Sequence, residues 1–204
     1  SHTYSSITDT TCDDCGYIRN IIAAPQPKTS TNNKVSTYTV PQIEENSIKT
    51  GIDLTAVFDS AKNNKSTQEA EIVLPIGNDL SLTFDNDIIN SIGGQNLAIK
   101  LEKTTKTDSK KLDKIKQNGK IKVKQVIEIS MNIDTSSLGG KVKIEVPKPE
   151  IPNDGKKYDV IVYWIKDDGT QEKMNTSVNG NKVVFDTKHF STYVVAIEDV
   201  TQST

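Results

Sequence analysis

From Lys122 to the C-terminus the chain is written as one short strand after another, and that repetition constrains the fold more than any other feature. Lys122 to Ile133, Lys141-Val-Lys-Ile-Glu-Val146, Tyr158 to Ile165, Lys182 to Phe185 and Thr192 to Ile197 all read as strands. Between them, Asp167-Asp-Gly169 and Asn179-Gly180 supply the residues a tight hairpin needs, because Asn and Gly tolerate positive φ. Strands at this spacing argue for an antiparallel sandwich or a barrel-like pair of sheets.

The first half adds strands and two short helices. Thr37-Tyr-Thr-Val-Pro41 is an extended stretch closed by proline, and Glu71-Ile-Val-Leu-Pro75, Leu80-Ser-Leu-Thr-Phe84 and the alternating Leu97-Ala-Ile-Lys-Leu101 read as strands. Asp53 can cap a helix that buries Leu54, Val57, Phe58 and Ala61, spaced three to four apart. Asp85 can cap a second helix, Asn86 to Ile92, which Gly93-Gly94 terminates. One amphipathic turn is expected around Leu112 and Ile115, inside a Lys-rich segment. The expected class is mainly β, with β-sandwich-like antiparallel sheets and two short α-helices covering one edge or end; α+β is the alternative.

Three segments divide the chain. Residues 1–23 form a small Cys-x-x-Cys segment whose apolar run, Ile18 to Ala24, can pair as a short strand. Residues 24–36 are polar, carry two prolines and no periodicity, and read as a linker. Residues 37–200 are the β-rich module. Within 204 residues a folded domain buries roughly 70% of the surface its unfolded chain exposes, so a real core is possible. Yet the apolar fraction is 34% and the aromatic fraction 5%, so part of the chain must be poorly buried. With 25 basic and 27 acidic residues the net charge is −2, and no global field draws the molecule to nucleic acid or to an anionic membrane. No stretch approaches the roughly 20 apolar residues of a membrane helix, so no membrane insertion is expected. The chain reads as a piece of a longer polypeptide: an export signal is expected to lie outside it, as are a wall anchor or membrane tail, and flanking domains of the same polypeptide are expected.

Lys141-Val-Lys-Ile-Glu-Val-Pro147, Tyr158-Asp-Val-Ile-Val-Tyr-Trp-Ile-Lys-Asp-Asp-Gly169 and Val183-Val-Phe-Asp-Thr-Lys-His-Phe-Ser-Thr-Tyr-Val-Val195 together resemble a recurrent module of Firmicutes surface proteins. Such modules lie beside S-layer-homology, dockerin, carbohydrate-binding or glycoside-hydrolase domains and end in a strand of the form Phe-x-Thr-x-His-Phe-Ser-x-Tyr. The resemblance covers about residues 50–198. His2-Thr-Tyr and Asp9-Thr-Thr-Cys-Asp-Asp-Cys-Gly-Tyr-Ile-Arg19 are similar to a short repeat of the same proteins, with His-x-Tyr and Cys-x-x-Cys-Gly-x-x-Arg. These likenesses imply a secreted, Gram-positive, cell-surface address, while the family says little about molecular function. Together with the strands, the linker and the absence of clustered catalytic residues, they fit a structural or spacer role without catalysis. They name no ligand.

The chemistry to be weighed is sparse. His189-Phe190-Ser191 looks like the cleavage triplet of self-cleaving β-sandwich domains in some animal receptor and death-domain proteins. There, His189 would take the proton of Ser191, whose hydroxyl would attack the Phe190 carbonyl to give an ester that water opens. The simpler reading puts Phe190 and Tyr193 on opposite faces of an edge strand, with His189 hydrogen-bonded to a neighbouring strand and Ser191 satisfying a turn.

Cys12 and Cys15 suit a local disulfide, free thiols or a zinc ion with His2 as third ligand, and a fourth ligand would have to come from Asp9, Asp13, Asp14 or a second chain. A redox role would need the βαβ setting that this turn-rich segment lacks. No cofactor other than zinc is suggested.

The lysines between Lys103 and Lys124 can meet anionic wall polymer, but a solvated face is the commoner use, and Asp108 and Asp113 interrupt them. Trp164 and Tyr158 are the candidates for a sugar-stacking platform; Tyr163 and Trp164 must point to opposite faces of one strand, so one of them belongs to a core. Asp167-Asp-Gly169 is too short for a calcium loop. A carbohydrate-binding or adhesin-type module and a self-processing domain are thus the alternatives to the spacer.

Overall fold

A computed structural model of the chain describes residues 3, 5, 11–15, 20–105, 110–116, 119–136 and 138–201. The described residues are mainly β and form two seven-stranded sheets. The first runs, in spatial order, β1 (Asn20–Ile21), β4 (Ile52–Asp53), β7 (Ala98–Thr104), β8 (Ile121–Met131), β14 (Thr192–Asp199), β10 (Tyr158–Ile165) and β11 (Gln171–Lys173). The second runs β12 (Thr176–Asn179), β13 (Lys182–Thr187), β9 (Val142–Pro147), β6 (Leu80–Phe84), β5 (Glu69–Ile76), β3 (Val35–Thr39) and β2 (Lys28–Thr29). Neighbours pair antiparallel as expected, except that β1 lies parallel to β4 and β3 parallel to β5. Part of the expected linker is therefore a short edge strand, Lys28–Thr29, on β3.

Alternation decides which residues form the core. In β5 every second residue is buried, from Ala70 to Ile76, because one face is turned into the core. Leu82 and Phe84 of β6, Ile144 and Val146 of β9, Val183 and Phe185 of β13, and Ile127, Val162, Tyr193 and Val195 of the other sheet converge on one cluster.

The two helices read from the sequence are α2 (Thr55–Lys62) and α3 (Asn86–Ile92), the longest among the described residues; α1 (Glu45–Thr50) and α4 (Asp113–Lys116) are shorter. Helices α2 and α3 pack on each other and on β5, and α1 packs on β7. Phe58 of α2 meets Phe84 edge to face, with ring centroids 5.1 Å apart.

Two carboxylates set the helix starts. Asp85 Oδ1 accepts from Ile88 N at 2.9 Å as the N-cap of α3, and its Oδ2 accepts from Lys141 N at 2.8 Å, tying the helix to the strand it adjoins. Asp53 Oδ1 accepts from Thr55 N at 2.9 Å, but the cap position of α2 falls on Leu54, because Asp53 is spent as the last residue of β4.

A second, smaller core lies on the outer face of the β14 sheet. Leu112 and Ile115 are fully buried there against Val126, Ile161, Ile165, Val194 and Ala196. Each such side chain contributes about 1.5–3 kcal/mol when withdrawn from water. The amphipathic turn expected at this point is thus a cover over the sheet, with Lys110 and Lys114 exposed on its far side.

Candidate functional site

Residues 185–193 carry the connection from β13 to β14, which crosses from one sheet to the other. Strand β14 is not the edge strand expected: it lies between β8 and β10, hydrogen-bonded on both sides. Nor do Phe190 and Tyr193 lie on opposite faces; both pack into the core between the sheets, because the crossover turns Phe190 inward before the strand begins. Its ring meets Phe84 at 6.2 Å, edge to face.

A buried polar knot closes the crossover. The Tyr193 hydroxyl, fully buried, donates to the His189 carbonyl at 2.5 Å. Thr187 Oγ1 donates to that phenol oxygen at 2.5 Å, stands 3.1 Å from the same carbonyl and accepts from His189 N at 3.1 Å. Burial pushes the Tyr193 pKa up to about 12, the Thr187 contact pulling the other way. The Phe185 ring lies against the Tyr193 ring at 5.3 Å.

The two groups of the expected cleavage chemistry are turned to different partners. Ser191 Oγ donates to the Ile165 carbonyl at 3.0 Å, at the end of β10, and the Ser191 carbonyl accepts from Ile129 N at 2.9 Å. The His189 imidazole stacks on Trp164, with ring centroids 4.4 Å apart and planes 12° from parallel. Among the described residues no hydrogen bond joins the His189 ring to Ser191 Oγ, the contact a general base would need. The imidazole reaches the neighbouring strand by stacking rather than by the hydrogen bond expected.

Trp164 and Tyr163 do face opposite ways, Trp164 to the intersheet core and Tyr163 to the outer one. The indole ring also carries Lys166 Nζ 4.8 Å from its centroid, so protein groups already engage it. Its Nε1 is buried without a hydrogen-bond partner. Beside Trp164 and His189 lies an open cleft of about 360 Å³, lined also by Lys141, Glu172, Met174 and Asp186.

Tyr158 sits six residues earlier on β10, about 20 Å away at strand rise, too far to share a platform with Trp164. Its hydroxyl donates to Asp154 Oδ2 at 2.7 Å and accepts from Lys122 Nζ at 3.1 Å.

Of the Lys-rich stretch, Lys103 is tied to Glu45 at 2.8 Å and to Asp79 at 3.3 Å. Burial disfavours its charge, yet the two carboxylates outweigh this and hold its pKa above the usual lysine value.

Cys12 is buried and Cys15 exposed, around the turn 13–15, where Asp13 and Asp14 are also exposed; His2 and Asp9, two further proposed ligands of a zinc ion, lie outside the described residues. Among the described residues no group of three or more His, Cys, Asp or Glu side chains is placed to hold a metal ion.

Sequence reasoning singled out His189, Phe190 and Ser191 but not Thr187, Tyr193 or the Ile165 carbonyl as their partners. Thr187 and Tyr193 stand six residues apart in no regular pattern, and Ile165 comes from another strand. No family model and no curated protein matches the chain.

Proposed function

We propose that this chain is a non-catalytic structural module, a spacer in a secreted, multidomain protein of the Gram-positive cell surface. One observation carries the reading: the two side chains that made the run 185–193 look chemical, His189 and Ser191, are both engaged by β10, and the crossover around them is closed by a buried polar contact. Tyr193 and Thr187 close the crossover, Ser191 is bonded to the Ile165 carbonyl, and His189 is stacked on Trp164. A serine committed to a carbonyl and an imidazole committed to an indole serve cohesion rather than turnover. The cell-surface address rests on the sequence likeness of residues 50–198 and of the Cys-x-x-Cys segment.

Ligand binding, to a glycan or to cell-wall polymer, is the second reading, and the cleft beside Trp164 and His189 is the observation that favours it. An array of glycans and wall polymers probed with the whole chain separates the two. The spacer reading expects silence across the array. A reproducible, saturable hit that a Trp164→Ala variant loses would overturn it in favour of binding.

A further inference from the structure

Of the four sheet edges formed by the described residues, three carry features that oppose pairing with another chain. Strand β11 presents Glu172 and Lys173, each held in an ion pair, to Lys166 at 3.0 Å and to Glu198 at 3.8 Å. Strand β2 is two residues long, contains Lys28 and follows Pro27, and β1 is equally short. Charges, prolines and short strands are the means by which sheets refuse foreign strands. Strand β12 is longer and has no charge and no proline. It also exposes Val178 to 45%, a rare exposure for a large apolar side chain among the described residues.

The backbone of β12 is set for a partner. Asn179 and Lys182 close its hairpin with β13 around Gly180-Asn181, and Gly180 at φ +60° supplies the positive φ of a type II′ turn. The closing pair of such a turn is hydrogen-bonded, so bonded and non-bonded pairs alternate from there: Ser177↔Val184 is bonded, whereas Val178↔Val183 and Thr176↔Phe185 are not. The N–H and C=O groups of Thr176 and Val178 therefore point away from the sheet. The far side of β13 agrees, since the Asn181 carbonyl turns to Lys148 N at 2.7 Å.

The side chains of this edge are self-complementary. Residues 175 to 179 read Asn-Thr-Ser-Val-Asn, symmetric about Ser177 in character: an amide at each end, and two β-branched side chains of nearly equal volume inside. A two-fold axis through Ser177 sets Asn175 opposite Asn179 of a second copy, Thr176 opposite its Val178, and Ser177 opposite its Ser177. The outward groups of Thr176 and Val178 then meet as two bonded pairs. Thr176 and Val178 share the face of Phe185 and Val183, while the Asn and Ser side chains share the other, where amides can bond one another. No like charges are brought together.

We infer that β12 is a self-association edge: two copies of this chain pair β12 against β12, antiparallel about Ser177, and join their sheets into one. The contact is small beside the roughly 1,200 Å² of a stable interface, so the dimer is weak and forms at high concentration.

Sedimentation equilibrium of the full chain between roughly 10 μM and 1 mM tests it. A reversible monomer–dimer equilibrium is expected. Val178→Pro deletes an outward donor at an edge position that tolerates proline and weakens the dimer about tenfold or more. Val178→Lys keeps that donor but sets two ammonium groups on the diagonal across the axis, weakening the dimer most at low salt. Thermal melts establish that each variant is folded; should the proline variant not fold, the exposed lysine replacement carries the test. A chain that stays monomeric throughout, or a dimer that folded variants leave unchanged, overturns the inference.

Discussion

Replacing Tyr193 by Phe removes one oxygen from the best-buried polar group of the sheet crossover and leaves the ring in place. The hydroxyl's bond to the His189 carbonyl is lost, but Thr187 Oγ1, 3.1 Å from that carbonyl, is freed to donate to it, so no acceptor is orphaned. The cost is then that of one buried hydrogen bond, about 1–2 kcal/mol, or a fall in Tm of roughly 2–8 °C in a domain of this size.

The pH dependence is more diagnostic. The folded Tyr193 pKa is about 12, and its unfolded value is about 10, so folding favours the neutral phenol. The resulting stability is fully present below about pH 10 and is lost as pH rises toward about 12, a total on the order of 2–3 kcal/mol. Burial also raises Tyr38 and Tyr163, which add to the alkaline decline of both proteins, so the difference between wild type and variant is the quantity to follow. Urea melts followed by Trp164 emission, from about pH 8 to about pH 11, are expected to show the wild type ahead at the lower end. Above about pH 10 the lead shrinks by roughly 1.4 kcal/mol per pH unit. A lead that stays constant across this range, or a variant as stable as the wild type at the lower end, refutes the assignment of Tyr193 as the closing group.

Gly140→Ala is expected to cost about 1–3 kcal/mol. An added Cβ would stand 2.1 Å from Asp85 Oδ1 and 2.8 Å from Ile88 N, breaking the double cap of α3; an unchanged thermal melt would contradict this packing. The mass of the purified chain is expected to be that of the intact polypeptide, because Ser191 Oγ is bonded to Ile165 and not to His189. Two fragments divided after Phe190 would restore the self-processing reading.

Where a strand buries one face, water imposes a period of two on its sequence, so β5, β6, β7, β9 and β13 were legible as strands, whereas β10 and β14, covered on both faces, were legible as apolar runs. Local chemistry likewise announced α3, through Asp85 at one end and Gly93-Gly94 at the other. Elements with little burial left no such trace: β11 is exposed throughout, β12 nearly so, and α1 buries Ile48 alone. The parallel pairing of β3 with β5 is invisible locally, since it depends on how the segment between them folds back.

The candidate site divides in the same way. The residue types of 185–193 were plain, and the opposed directions of Tyr163 and Trp164 followed from strand geometry. What each group does was decided by neighbours remote in the chain. Ser191 is spent on a carbonyl 26 residues earlier, and His189 on an indole that β10 presents only because β14 lies beside it. Sequence determined which residues must leave water, because that depends on each side chain and its period. Tertiary structure decided which partners His189 and Ser191 meet, because a contact exists only where packing makes it.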